Sequence, residues 1–197
     1  MELVKYIRKH GKTHVIFDFD ATLFLLVMPW STWQEEIRKH LIEVDASIWD
    51  AYERGELNIS TVQNEYVKNH GRVVKNFLAE HSAQFEIENM QEYRPNTDLL
   101  QALEELNDVK KYVWSSNARP VIELVLKETK LSKKFDKIVS KQDVELIKPE
   151  PDGFYAVYDE SVDKSKYLMV GDSSYDRDAA RAAGIDFYMT DFFDLTR

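Results

Sequence analysis

The stretch that decides the fold is THVIFDFDATL, residues 13–23. Val15, Ile16 and Phe17 form a short apolar run, closed by Asp18 and Asp20 and followed by Thr22. A buried strand of a parallel sheet reads this way, and open α/β sheets hold ligands at the C-terminal ends of their strands. Two carboxylates crowded there repel each other and lose hydration. A divalent cation or a shared proton relieves both costs. A strand followed by an Asp-rich turn without a ligand gives the same letters, so the rest of the chain must decide.

Before this stretch, residues 2–10 read as a short helix with Leu3, Tyr6 and Ile7 on one side and Gly11 as its stop. After it, from about Ser31 to Phe85, the pattern is helical with no convincing strand. Trp33, Ile37, Leu41 and Val44 make one stripe, Ile48 and Tyr52 a second, and Val62 and Tyr66 a third. Val74, Phe77, Leu78, His81 and Phe85 make a fourth, and Gly55 and Gly71 punctuate the set. This predicts a helical insert over residues 24–93.

Pro95 and Asn96 mark a return, and Asn96 or Thr97 can cap a helix striped by Leu99, Leu100, Leu103 and Leu106. Strand and helix then alternate. Strands are expected at 112–114, 137–139, 167–170 and 187–189, with helices at 120–131, 154–159 and 175–183. That alternation predicts a parallel sheet with right-handed crossovers and helices on both faces.

Composition narrows the partners. A length of 197 residues suits one good core, or a core plus a small accessory domain. The net charge of −9 disfavours a nucleic-acid backbone, yet a local metal and one or two Lys can still hold a small phosphorylated substrate. Cysteine is absent, which excludes disulfides, thiolate catalysis and zinc–thiolate sites. The N-terminal MELVKYIRKHGK lacks the apolar run of a secretory signal. The most apolar stretch, Leu23–Trp30, is far shorter than the ~20 residues a membrane helix needs. The expectation is a soluble cytoplasmic protein, monomer or homodimer, with no membrane or nucleic-acid partner.

Each expected strand end carries polar residues. The first gives Asp18 and Asp20; YVWSSN gives Ser115, Ser116 and Asn117; IKPEP carries Lys148 and Pro149; and GDSSYD gives Asp172 and Asp176. In a parallel sheet these ends share one rim. Acids, a hydroxyl and an ammonium gathered there suit phosphoryl transfer to a carboxylate beside a hard cation.

With DFDATL, SSN, KP and GDSSYD in this order over residues 15–176, the chain resembles the haloacid dehalogenase superfamily, on its phosphatase side. The resemblance implies an α/β fold: a Rossmann-like three-layer core, residues 1–23 and 94–197, with residues 24–93 as a small all-helical cap domain. It implies a phosphatase acting on a small phosphorylated metabolite. Asp18 would be the nucleophile that forms an aspartyl-phosphate, and Asp20 the acid and base. Mg²⁺ would be held by Asp18, the Asp20 carbonyl and Asp172, with Asp176 either a further ligand or an acid that orients water. Ser116, with Asn117, would bind the phosphoryl group, and Lys148 would neutralise charge on Asp18 and the phosphate. Ser115 is the competing hydroxyl, and Ser116 could instead cap the following helix. Asp176 could simply be an acid at a helix start. Arg119 and the five His residues receive no role, and Trp30, Trp33, Trp49, Tyr52, Tyr66 and Phe77 are expected to pack the insert, one or two of them lining the pocket.

Two departures from the family pattern stand out. Ala21 replaces the usual Gly after the second Asp, which is strained if that residue needs positive φ. LFLLVMPW follows, either an apolar wall beside the substrate or packing at the junction of core and insert. The dehalogenase branch lacks the second acid, so Asp20 and Asp172 argue against it. A phosphomutase keeps all these residues. A receiver-like phospho-acceptor, a non-enzymatic alternative, has its acid cluster first and its Lys last, whereas here Lys148 precedes Asp172.

Overall fold

A computed structural model describes residues 2–190. Five strands form one parallel sheet: β1 (His14–Phe17), β4 (Lys110–Trp114), β5 (Lys137–Val139), β6 (Tyr167–Gly171) and β7 (Asp186–Met189). They stand in the order β5-β4-β1-β6-β7, so the decisive stretch is the central strand. Every residue of β1 is buried, because both faces of the sheet are covered.

The pleat assigns its side chains to two cores. Val15 and Phe17 point to one face, where they meet α1 (Glu2–Lys9), α5 (Thr97–Glu105) and α6 (Arg119–Glu128). Ile16 points to the other, toward α7 (Asp152–Tyr155) and α8 (Ser174–Ala183). Ala179, Ala180 and Ala183 present the small surface of α8 to β6. The expected fold class is therefore observed: an α/β three-layer core of Rossmann type.

Between β1 and β4 the chain makes a helical excursion. The helices are α2 (Trp30–Glu53), α3 (Ile59–His70) and α4 (Arg72–Asn89), and they share a separate core built on Trp33, Ile37, Leu41, Tyr66 and Leu78. Its two ends are joined by a ribbon the sequence reading did not contain. Here β2 (Phe24–Val27) pairs antiparallel with β3 (Glu92–Pro95), with Val27 opposite Glu92. Phe24 and Leu26 are buried against the sheet's core. The apolar LFLLVMPW is thus mainly junction packing, with Trp30 alone of its large side chains lining the pocket described below.

Two expected features are corrected. Val44 lies on a helical stripe in sequence but is exposed, because α2 breaks at Asp45 (φ −161°, ψ 99°). The Asp45 carboxylate accepts from Ser47 N and Oγ and restarts the helix, while its freed carbonyl accepts from the Tyr66 hydroxyl. The helix expected at 154–159 ends at Tyr155. Among the described residues, no helix is long and apolar enough to cross a membrane.

Candidate active site

The parallel pairing brings the strand ends together as expected. Asp18 extends β1 by one residue, its N–H donating to the Val170 carbonyl at 2.9 Å. Asp172 follows the end of β6, and Ser115 follows β4 with its N–H on the Val139 carbonyl at 2.9 Å. Gly171 permits the packing beside it: a Cβ there would fall 2.5 Å from the Asp176 Cβ.

Carboxylate oxygens of Asp18, Asp172 and Asp176 lie within 4.8 Å of one another. Lys148 is buried among them and donates to both Asp18 and Asp176. The Thr22 hydroxyl spans two of the acids, at 2.8 Å from Asp172 Oδ1 and 3.2 Å from Asp18 Oδ2. Asp176 also closes a capping box at the start of α8, its Oδ2 accepting from Ser173 N at 3.2 Å and Oγ at 2.5 Å. Both its oxygens are thus engaged, so its position suits holding Lys148 and the helix start. The cluster offers only hard oxygen donors, which fits a hard divalent cation such as Mg²⁺ and not a soft one.

Electrostatics follow from burial. Desolvation and the Asp176 carboxylate push Asp18 above the usual carboxylate range, while Lys148 pulls it back. Burial raises Asp20 to about 6, opposed by backbone N–H donors, of which Leu26 N lies 2.8 Å from Oδ1. That bond ties Asp20 to β2. Asp172 is also raised, chiefly by burial.

A cavity of about 400 Å³ opens over this rim, between the strand ends and the helical insert. Asp18, Asp20, Ser116, Asn117, Lys148 and Asp172 all line it, and Asp176 lies just behind. The Ser115 hydroxyl is consumed locally, donating to Asn117 Oδ1 at 2.8 Å and accepting from Asn117 N at 3.1 Å. Of the insert's aromatics, Trp30 and Trp33 reach the cavity, whereas Trp49 and Tyr66 stay in its core. Arg119 is a surface anchor bonded to Glu123 and Asp143.

The sequence reading missed a second polar group in the cavity wall. Glu86 of α4 accepts from Ala118 N at 2.9 Å. Lys141, beyond β5, donates to Ser82 Oγ at 2.8 Å and Gln63 Oε1 at 3.2 Å and stands over the Trp33 ring. Asn64 exchanges two hydrogen bonds with the Ile147 backbone, at 2.8 and 2.9 Å. A signal existed: Ser82 and Glu86 continue the spacing of four from Leu78, so polar residues occupy the buried face of a helix.

The residue after the second Asp adopts φ +61°, so Ala21 carries strain that a Gly there would avoid. An L-residue there costs ~1–2 kcal/mol, partly offset by the ~0.4–1 kcal/mol that Gly loses through the unfolded chain. Ala21→Gly is expected to stabilise the protein by ~0.5–1 kcal/mol, read as a rise in Tm of a few degrees. An unchanged or lower Tm would show the strain to be relaxed elsewhere.

The family model for haloacid dehalogenase-like hydrolases matches residues 15–190. The chain belongs to the haloacid dehalogenase-like hydrolases. Comparison with curated proteins gives no match. Several solved structures share the fold. A haloacid dehalogenase-superfamily hydrolase of subfamily IA from Geobacter sulfurreducens is 18% identical, with 91% of this chain and 87% of that one covered at a TM-score of 0.56. A hydrolase of the superfamily from Bacillus subtilis, bound to magnesium, is 16% identical over 91% and 86% of the two chains, at a TM-score of 0.55. A predicted phosphoglycolate phosphatase from Haemophilus somnus is 19% identical over 89% and 84%, at a TM-score of 0.55.

Proposed function

We propose that this hydrolase is a Mg²⁺-dependent phosphatase of small phosphomonoesters, working through an aspartyl-phosphate on Asp18. The single observation that carries the reading is the contact of Lys148 with both Asp18 and Asp176, inside a carboxylate cluster that opens on the cavity. A carboxylate in such a crowd is a poor nucleophile unless neighbouring charge is balanced, and an ammonium in contact favours its ionised form against burial and the other acids.

Asp18 and Asp172, with the Asp20 carbonyl, would hold the cation, which when bound would neutralise phosphoryl oxygen charge. An Asp18 carboxylate oxygen attacks phosphorus, and the bond from phosphorus to the ester oxygen breaks. Asp20 gives its proton to that departing oxygen. Asp20 then takes a proton from water as the water attacks phosphorus, which frees Asp18 and releases phosphate. An acid raised to about 6 by burial suits both roles near neutral pH. Ser116 and Asn117, lining the cavity, would hold phosphoryl oxygens.

The cavity, about 400 Å³, is at the small end for ligand sites and favours a compact leaving group. Residues 24–93 would act as the cap. The magnesium bound by the Bacillus subtilis hydrolase and the phosphatase name of the Haemophilus somnus protein agree with the reading.

The test is phosphate release from a panel of phosphorylated metabolites and p-nitrophenyl phosphate in Mg²⁺. Turnover that stops in EDTA and returns with Mg²⁺ is expected. Label retained on the protein without turnover would point instead to a phospho-acceptor, and full activity in EDTA would remove the cation from the scheme.

A further inference from the structure

The helix α6 begins directly after the SSN loop, yet it starts without a cap of its own. Its N-cap residue is Ala118, which makes no side-chain capping bond. In a capping box the third helical residue supplies the acceptor for the N-cap N–H. Here that residue is Val121, which has none to give.

The acceptor comes instead from the helical insert. Glu86, 32 residues earlier and 1% exposed, accepts from Ala118 N at 2.9 Å. Burial raises the Glu86 carboxyl to about 7, opposed by the nearby Lys141 ammonium, the Ala118 N–H and the Asn117 side chain. The Asn117 side chain is meanwhile fixed from within by Ser115, and the Asn117 backbone carbonyl accepts from Lys141 N at 3.0 Å. Ser116 sits between these fixed points, facing the cavity. Without Glu86, a buried N–H at the head of α6 would lack a partner, and a buried unpaired donor is costly enough to remodel a loop.

We propose that Glu86 is a positioning residue for the reaction: it holds the Ser116–Asn117 loop in its phosphate-binding form from across the interface, so that loop is complete only while the helical insert is seated. The identity of the loop's ligand rests on the phosphatase reading above; the ordering of the loop by Glu86 does not.

The test compares wild type with Glu86→Ala, Glu86→Met and Glu86→Gln by amide hydrogen exchange and by kinetics. Met keeps the side-chain volume without an acceptor and serves if the Ala variant does not fold. Gln keeps an acceptor for Ala118 N. Exchange across residues 116–119 is expected to quicken about tenfold or more in Ala and Met, and to stay near wild type in Gln. KM for p-nitrophenyl phosphate and the dissociation constant for inorganic phosphate in Mg²⁺ are expected to rise about tenfold in Ala and Met, with kcat changed less. Unchanged exchange in the loop would overturn the proposal. So would a uniform fall in kcat at constant KM, the mark of fewer folded molecules. A wild type without turnover on any substrate would overturn the phosphatase reading alone, and the exchange comparison would still decide what Glu86 does.

Discussion

Asp18→Asn is expected, on the proposed mechanism, to lower kcat by about 10⁴-fold or more, because it removes the attacking oxygen. Asp172 and Asp176 are engaged elsewhere, by Thr22 and by Lys148 and Ser173 respectively. The same variant is expected to be at least as stable as wild type. The sign follows from linkage. Asp18 has its folded-state pKa raised, so its penalty is absent below the ordinary carboxylate pKa and grows as pH rises through the folded value. A neutral Asn removes that penalty. The Tm gain should therefore be negligible near pH 4 and largest near pH 8, and Mg²⁺ should close the gap by stabilising only the wild type. A variant with wild-type turnover would end the nucleophile assignment. A Tm gain largest at pH 4 would contradict the electrostatic account.

Lys148→Met should damage both rate and stability. Lys148 is buried and bonded to two buried carboxylates, and removing one member of a buried pair costs ~3–5 kcal/mol because the partner charges stay behind. For a chain of this size that is a Tm loss of ~10 °C at neutral pH. The loss should shrink as pH falls and the acids take up protons, the same sense as for Asp18. Added Mg²⁺ should recover part of the Tm. It should not recover the rate, expected to fall by about 10²–10³-fold when charge next to the nucleophile and phosphoryl group is lost. A variant as stable as wild type at pH 8 would mean that solvent reaches the cluster and screens it. Thermal melts across pH, with and without Mg²⁺, read all of this directly.

Much of the arrangement was legible from letters because it depends on period and order. The apolar run at 15–17 bounded by acids gave the central strand, and the later alternation gave the parallel sheet and its shared rim. Family pattern alone prefers Ser116 over Ser115; that the Ser115 hydroxyl bonds Asn117 while Ser116 lines the cavity needed coordinates. What stayed hidden depends on partners distant in the chain. EYRP contains a Pro and two charges, so nothing local marks it as a strand, and it becomes one by pairing with Phe24–Val27. Val44 kept helical spacing across a break that Asp45 and Ser47 create by side-chain bonding. Glu86 shares the buried face of its helix with Leu78 and Ser82, but its partner, like those of Lys141, lies more than 30 residues away in the chain.

The β2–β3 ribbon has one more consequence. Val27 and Glu92 face each other across it, so the 64 residues between them leave and rejoin the core at neighbouring points. The entropy of closing that long detour is already met at its neck. To the Rossmann-type layers the whole excursion therefore enters as a single hairpin connection, and the register of the parallel sheet does not depend on how many residues lie within it.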